Sequence, residues 1–211
     1  MPNKYSISGE SPKSAIFWDF HFSLFILPNV ENGDLTMTRR FKWTAAFNIS
    51  FLTIGIDQIS KIWAVNTFKG EPPIIFLNDF FRFQYAENRG AFLGMGSQLP
   101  EAVRVGVMIF LVAIMLGALI KYTWFNEKMN KAGLLGGSFI IAGGFSNWIE
   151  RVLNSGSVVD FMNMGVGSLR TGIFNIADMA IMLGMALFLL AAFQDEKANK
   201  ENLSDGEKTD I

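Results

Sequence analysis

The sequence predicts an all-α membrane protein of four transmembrane helices, with a small periplasmic or extracytoplasmic β-sheet between helices 1 and 2. Three observations lead there. Half of the 211 residues are hydrophobic and only 18% are charged, too apolar a balance for an ordinary soluble domain. The apolar residues collect in four runs of roughly twenty, each long enough to cross a ~30 Å hydrocarbon core. Between the first two runs, aromatic and polar residues alternate with the period of a strand.

Residues 1–36 are mixed: polar "MPNKYSISGESPKS", apolar "AIFWDFHFSLFILP", then polar "NVENGD". The middle piece is too short to span and is interrupted by Asp19, His21 and Pro28. It also lacks the basic leader and small-residue cleavage site of a signal peptide. This segment reads as an interfacial or disordered extension. Met37 opens "MTRRFKWTAAF", a basic run directly before the first span, so a chain beginning at Met37 is expected to insert and act without the preceding 36 residues.

The membrane domain is expected over residues 37–193. Span one is "WTAAFNISFLTIGIDQISKIWAV" (43–65) and span two is "AVRVGVMIFLVAIMLGALIKY" (102–122), introduced by Pro100. Span three, "AGLLGGSFIIAGGFSNWIERVL" (132–153), is rich in small residues that let helices approach closely. Span four is "FNIADMAIMLGMALFLLAAF" (174–193), and residues 194–211 form a polar tail read as solvated and disordered.

Lysine and arginine set the orientation. Arg39, Arg40 and Lys42 precede span one, Lys121, Lys128 and Lys131 surround the link between spans two and three, and Lys197 and Lys200 follow span four. Four crossings put all of these on one side, with both termini cytoplasmic and the connections 67–101 and 154–172 outside. In the first of these, Phe81, Phe83 and Tyr85 alternate with Arg82 and Gln84 after turn residues Asn78 and Asp79. That pattern predicts a small antiparallel sheet at the membrane surface.

The costly polar residues of the spans gather near the outer side. Asp57 and Lys61 are four apart and share a helix face, able to pair with one another or with headgroups. Asn147 and Arg151 are likewise four apart, Asn175 and Asp178 three apart, and Asp160 lies just beyond span three in the extended "GSVVDF". A carboxylate inside a membrane span costs ~2.5–3.5 kcal/mol on insertion scales and marks a protein interior or a wet cavity. Taken singly, each could serve helix packing. Their common outer face predicts a site opening at the outer leaflet.

The chemistry available there is narrow. Cysteine is absent and His21 is the single histidine, which excludes disulfides, thiolate sites, a Cys nucleophile, a Ser-His-Asp triad and a His-ligated zinc. The net charge of −1 and the lack of a basic patch give no sign of a nucleic-acid partner. No cofactor or metal is expected. The groups left to move protons are carboxylates, chiefly Asp160 and Asp178. Two carboxylates held close share a proton, so that one can take a proton from water while the other polarises a carbonyl.

The set "DQISK", "ENRGAFLGMG", "GGFSNWIERVLNSGSVVDF" and "FNIADMAIMLG", in this order on four spans, resembles the lipoprotein signal peptidase (signal peptidase II) family over residues 41–193. The resemblance implies an aspartic endopeptidase of the bacterial inner membrane. Such an enzyme removes signal peptides from prolipoproteins on the amino side of the diacylglyceryl-modified cysteine, with membrane phospholipid as its surroundings. Asp160 and Asp178 fall on the family's catalytic dyad. Asn88, Asn147, Arg151 and Asn175 fall on its polar support, and Asp57 and Lys61 on its first-helix motif. The third-span motif departs from the family's usual Gly-Asn and Asp-Arg, reading Ser146 before Asn147 and Glu150 before Arg151. Glu150 keeps the charge of the usual Asp but adds a methylene, so Arg151 is expected to be oriented differently while activity is retained. Two rival readings remain beside it: a small transporter or proton conductor, because intramembrane Asp with Asn and Arg also marks ion pathways, and a homologue that binds lipidated peptides without cutting them.

Overall fold

The computed structural model describes residues 29–31, 34–36, 39–90, 100–126 and 129–209. The chain forms two compact units, residues 1–42 and 43–211. In the first, strands β1 (Asn29–Glu31) and β2 (Asp34–Thr36) pair antiparallel, Val30 opposite Leu35. Part of the N-terminal extension therefore carries regular structure; the apolar stretch 15–28 lies outside the described residues.

The larger unit is built on four helices, α1 (Arg39–Phe68, its first turn in the smaller unit), α2 (Glu101–Phe125), α3 (Lys131–Leu153) and α4 (Ile176–Thr209). Three of them, α2, α3 and α4, carry stretches long and apolar enough to cross a membrane. This makes the protein a multi-pass membrane protein. Helix α1 is long enough, but Asn48, Ser50, Thr53, Asp57, Gln58, Ser60 and Lys61 dilute its hydropathy, and it is not among the three. Helix α3 is the central one: 56% of its span is buried, against 11% for α2 and 22% for α4. Phe110 and Ile114 on α2 and Met182 and Leu189 on α4 are exposed, which suits a hydrocarbon surrounding.

Small residues let α3 sit in the middle. A Cβ on Gly136 would lie 2.7 Å from the Gly184 carbonyl oxygen, and one on Gly184 would lie 2.6 Å from that of Gly136. Neither position has room for a side chain, so the α3 and α4 backbones meet directly. The Asn130 side chain starts α3 by accepting from the Gly133 N–H at 2.8 Å. After Leu153 the chain turns through Ser155 (φ 50°) and Gly156 (φ 90°), left-handed residues that end the helix.

The sheet is larger than the alternation in 81–85 alone predicts. Strands β3 (Ile74–Phe76) and β4 (Phe81–Asn88) come from the connection between α1 and α2, and β5 (Val158–Val166) and β6 (Leu169–Arg170) from that between α3 and α4. They form one antiparallel sheet in the order β3-β4-β5-β6. The edge of β4 would otherwise leave a row of backbone groups unpaired, and β5 satisfies it. Phe83 pairs with Met162 and Ala86 with Asp160, with a register shift between Phe83 and Ala86; such an irregularity re-aims side chains. The β3–β4 turn holds Leu77, Asn78 and Asp79 with φ of 50°, 51° and 68°. Asn and Asp tolerate that conformation, whereas Leu does so at a cost.

An aromatic core ties the sheet to α1. Ala64 and Phe68 from α1 bury against Phe161 and Met162 of β5. The Phe83 ring stacks on Phe68 at 5.5 Å and meets Trp63 edge-on at 5.6 Å. The polar tail also differs from expectation. Helix α4 runs unbroken to Thr209, because residues 194–200 are mostly good helix formers and Lys200 pairs with Glu196 one turn back at 2.6 Å.

Candidate active site

Asp178 is placed first by local structure. Asn175 is the cap of α4: its side-chain oxygen accepts from the Asp178 N–H at 2.9 Å, while the Asp178 carboxylate accepts from the Asn175 N–H at 3.1 Å. This reciprocal pair satisfies two N–H groups that the helix leaves free. Asp160 arrives on a different element. It lies on β5, 1% exposed, held by the pairing with β4.

Asparagines join the two carboxylates. Asn175 Nδ2 donates to Asp160 Oδ1 at 2.6 Å, and Asn88 Nδ2 donates to Asp160 Oδ2 at 2.9 Å. Asn147 Nδ2 donates to Asp178 Oδ1 at 2.9 Å, and Asn147 Oδ1 accepts from Asn175 Nδ2 at 3.1 Å. All four carboxylate oxygens thus receive a donor, which fixes the orientation of both groups. Burial first, and then the neighbouring Asp178 carboxylate, pushes Asp160 up to about 7, against the opposing pull of Asn88 and Asn175.

Arg151 reaches over from α3. Its guanidinium donates to the Gly90 carbonyl at 3.1 Å and to the Asn147 carbonyl at 3.3 Å, tying the end of the β4 segment to the helix. Among the described residues Glu150 does not pair with Arg151. Glu150 points the other way, to Lys61 at 2.7 Å and to the Val159 N–H at 2.8 Å, since neighbours on a helix point about 100° apart and cannot face one group.

Asp57 and Lys61 lie behind this layer and do not reach outward to headgroups. Asp57 is 0% and Lys61 3% exposed. They pair at 2.9 Å, and Lys61 also donates to Asn147 Oδ1 at 2.8 Å. Asp57 accepts from Ser146 Oγ at 2.7 Å and from the Ala177 N–H at 2.8 Å. Ser146, a departure from the expected motif, therefore has a definite partner.

The eight residues singled out in the sequence come together through these contacts. Five of them, Asn88, Asn147, Arg151, Asp160 and Asp178, line a groove of about 770 Å³. Sequence reading missed its apolar wall, made by Met108 and Val112 of α2 and Ile181, Met182 and Met185 of α4. A signal was available: 178, 181, 182 and 185 lie on one helix face, as do 108 and 112. Such a groove, apolar along its length with a polar end holding two adjoining carboxylates, can take an extended or helical apolar ligand and carry out proton-transfer chemistry at one end of it. Among the described residues no cluster of three or more His, Cys, Asp or Glu is placed to hold a metal.

Comparison with known proteins shows the family of the chain. The family profile described as signal peptidase (SPase) II matches residues 49–194. The lipoprotein signal peptidase of Nostoc punctiforme is 34% identical over 163 residues, covering 76% of this chain and 94% of that protein. That of Clostridioides difficile is 34% identical over 137 residues, covering 64% of this chain and 86% of that protein. A bacterial membrane enzyme solved by the in meso method at 1.9 Å resolution superposes with a TM-score of 0.63 at 25% identity, covering 72% of this chain and 94% of that one.

Proposed function

The chain belongs to the signal peptidase II family, a family of proteases, and from that premise we propose that it cuts as an aspartic endopeptidase with Asp160 and Asp178 as its dyad. Its task is the removal of signal peptides from prolipoproteins. The cut falls before the diacylglyceryl-modified cysteine. The observation that carries the reading is the junction of the two carboxylates through Asn175 at the polar end of an apolar groove.

The chemistry follows from one shared proton. The ionised carboxylate takes a proton from a water molecule as its oxygen attacks the scissile carbonyl carbon. The protonated partner donates to the carbonyl oxygen, which becomes a hydroxyl in the tetrahedral intermediate. When that intermediate collapses, the C–N bond breaks, the departing amine takes the proton that the first carboxyl removed from water, and the hydroxyl returns its proton to the partner carboxylate. Arg151 and the asparagines hold the peptide backbone and the strand beside it, and the apolar wall takes the signal helix.

The same reading supplies four crossings of the bacterial inner membrane. Phe47, Phe51, Ile59 and Ile62 form an exposed apolar stripe on α1 while Asp57 and Lys61 point inward, the arrangement of a helix with one face toward lipid. Phospholipid surrounds it, both termini are cytoplasmic, and no nucleic acid takes part. Residues 37–193 are the peptidase domain, flanked by the extension 1–36 and the tail 194–211.

Incubating the purified protein with a diacylglyceryl-modified prolipoprotein tests this by mass spectrometry. The expected result is a product lighter by the signal peptide, beginning at the lipidated cysteine. An intact substrate, bound or unbound, would leave a transporter or a non-cutting binder in its place.

A further inference from the structure

Behind the two aspartates lies a buried set of three charges. Lys61 Nζ is surrounded by three oxygens: Asp57 Oδ2 at 2.9 Å, Glu150 Oε2 at 2.7 Å and Asn147 Oδ1 at 2.8 Å. The ammonium donates a hydrogen bond to Asn147 Oδ1 and meets the two carboxylates as ion pairs. Burying such a group is a poor route to stability, because desolvation offsets much of the attraction. The second oxygen of each carboxylate points to another purpose. Asp57 Oδ1 accepts from the N–H of Ala177, the residue before Asp178, and Glu150 Oε1 accepts from the N–H of Val159, the residue before Asp160.

We propose that Lys61 with Asp57 and Glu150 forms a clamp that sets the separation of the two aspartates, Glu150 being the positioning residue for Asp160. One arm holds the start of α4, the other holds β5, and the ammonium joins them. The clamp also sets the Asn147 amide. Lys61 can only donate, so Asn147 must turn its oxygen to Lys61 and its NH₂ to Asp178 Oδ1. Three helices and a strand are thereby referred to one nitrogen atom. This inference rests on the assignment of Asp160 and Asp178 as the dyad.

The charge on Glu150 is what lets it hold two partners. The Val159 N–H donates to Oε1, the Lys61 ammonium lies against Oε2 as an ion pair, and a carboxylate serves both. Glutamine has the same shape but a single acceptor, so it would set its NH₂ against either Lys61 or the Val159 N–H. Aspartate has both acceptors on a shorter stem.

Steady-state kinetics of Glu150→Gln and Glu150→Asp on a lipid-modified prolipoprotein, with thermal unfolding in detergent, tests the clamp. Misplacing a reacting group by a fraction of an ångström to an ångström costs about ten- to a hundredfold in rate. Glu150→Gln should lose kcat by that factor with KM changed less than about twofold and the unfolding temperature held, and Glu150→Asp should recover most of the loss. Wild-type kcat in Glu150→Gln would overturn the proposal, as would a loss that follows the unfolding temperature, appears only in KM, or is not recovered by aspartate. If the wild-type protein itself left the substrate intact, the dyad assignment would fail first. A cutting wild type beside an equally active Glu150→Gln would remove the clamp alone.

Discussion

Asn175 and Asp178 cap one another at the start of α4, side chain to backbone in both directions, at 2.9 and 3.1 Å. The Asp178 carboxylate is thus held by its own helix end as well as by distant contacts. It leaves Oδ1 for Asn147, and the cap residue uses its amide to reach Asp160. One four-residue turn serves both as a helix start and as a bridge between two acids.

Replacing either acid by its amide isolates the proton from the shape. In Asp178→Asn the new oxygen can keep the Asn175 N–H while its NH₂ faces that of Asn147, so the cap survives at the loss of one hydrogen bond and stability falls by about 1–3 kcal/mol. Asp160→Asn and Asp178→Asn should each abolish cleavage while the protein stays folded and inserted, and the double variant should be no worse than either single one. Cleavage by the wild type should survive metal chelators. Mass-spectrometric assay with circular dichroism decides this; substantial residual cutting by either single variant would break the dyad.

Activity should fall as pH rises through about 7. Asp160 is pushed from its ordinary 3.8 up to about 7, chiefly by burial, so the folded protein holds a proton that the unfolded chain has released. The sign is that of a raised acid: its contribution to stability is full below about pH 4 and is lost as pH rises through about 7. Above that value the shared proton leaves the pair, and kcat/KM should drop about tenfold per pH unit. Asn88 donates to the ionised form, so Asn88→Ala should move this limb to higher pH. A flat profile from pH 6 to 9 would contradict it.

Gly143 should be intolerant where Gly55 is not. A Cβ on Gly143 would run into the Ala177 carbonyl and the Ile181 side chain, whereas one on Gly55 meets nothing within 4 Å. Gly143→Ala should therefore destabilise by about 1–3 kcal/mol and reduce cleavage, because it pushes on the residue next to Asp178. Gly55→Ala should stabilise by about 0.5–1 kcal/mol through helix entropy. Thermal unfolding and turnover of the two variants are the measurements, with opposite signs expected.

Topology is open to a direct test. A reporter fused at Asn126, between α2 and α3, should behave as cytoplasmic, and one at Gly165, in β5, as external. This follows from lysine bias and four crossings. Both reporters on one side would mean that α2, α3 and α4 cross differently.

The helical ends were legible in the sequence because their causes are local. Apolar runs of membrane length, the Pro100 that introduces α2 and the small residues of α3 all act within a few positions of themselves. The approach of Asp57, Asn147, Asn175 and the two acids to one end of the helices also follows from spacing along helices of known rise. Partners across the fold were not legible. The side chain of Glu150 could have met Arg151, lipid or solvent, and its choice of Lys61 and Val159 depends on how α1, α3 and β5 pack. The union of β3 and β4 with β5 depends on two connections about 70 residues apart finding each other's backbone groups. The tail's helix was missed for a different reason, since polarity was read as disorder while residues 194–200 retain helix propensity. Local chemistry thus determined which groups are costly and where each helix begins; only tertiary packing decided which oxygen faces which donor, because a hydrogen-bond partner is set by ångström-scale distances that no sequence spacing between separate elements contains.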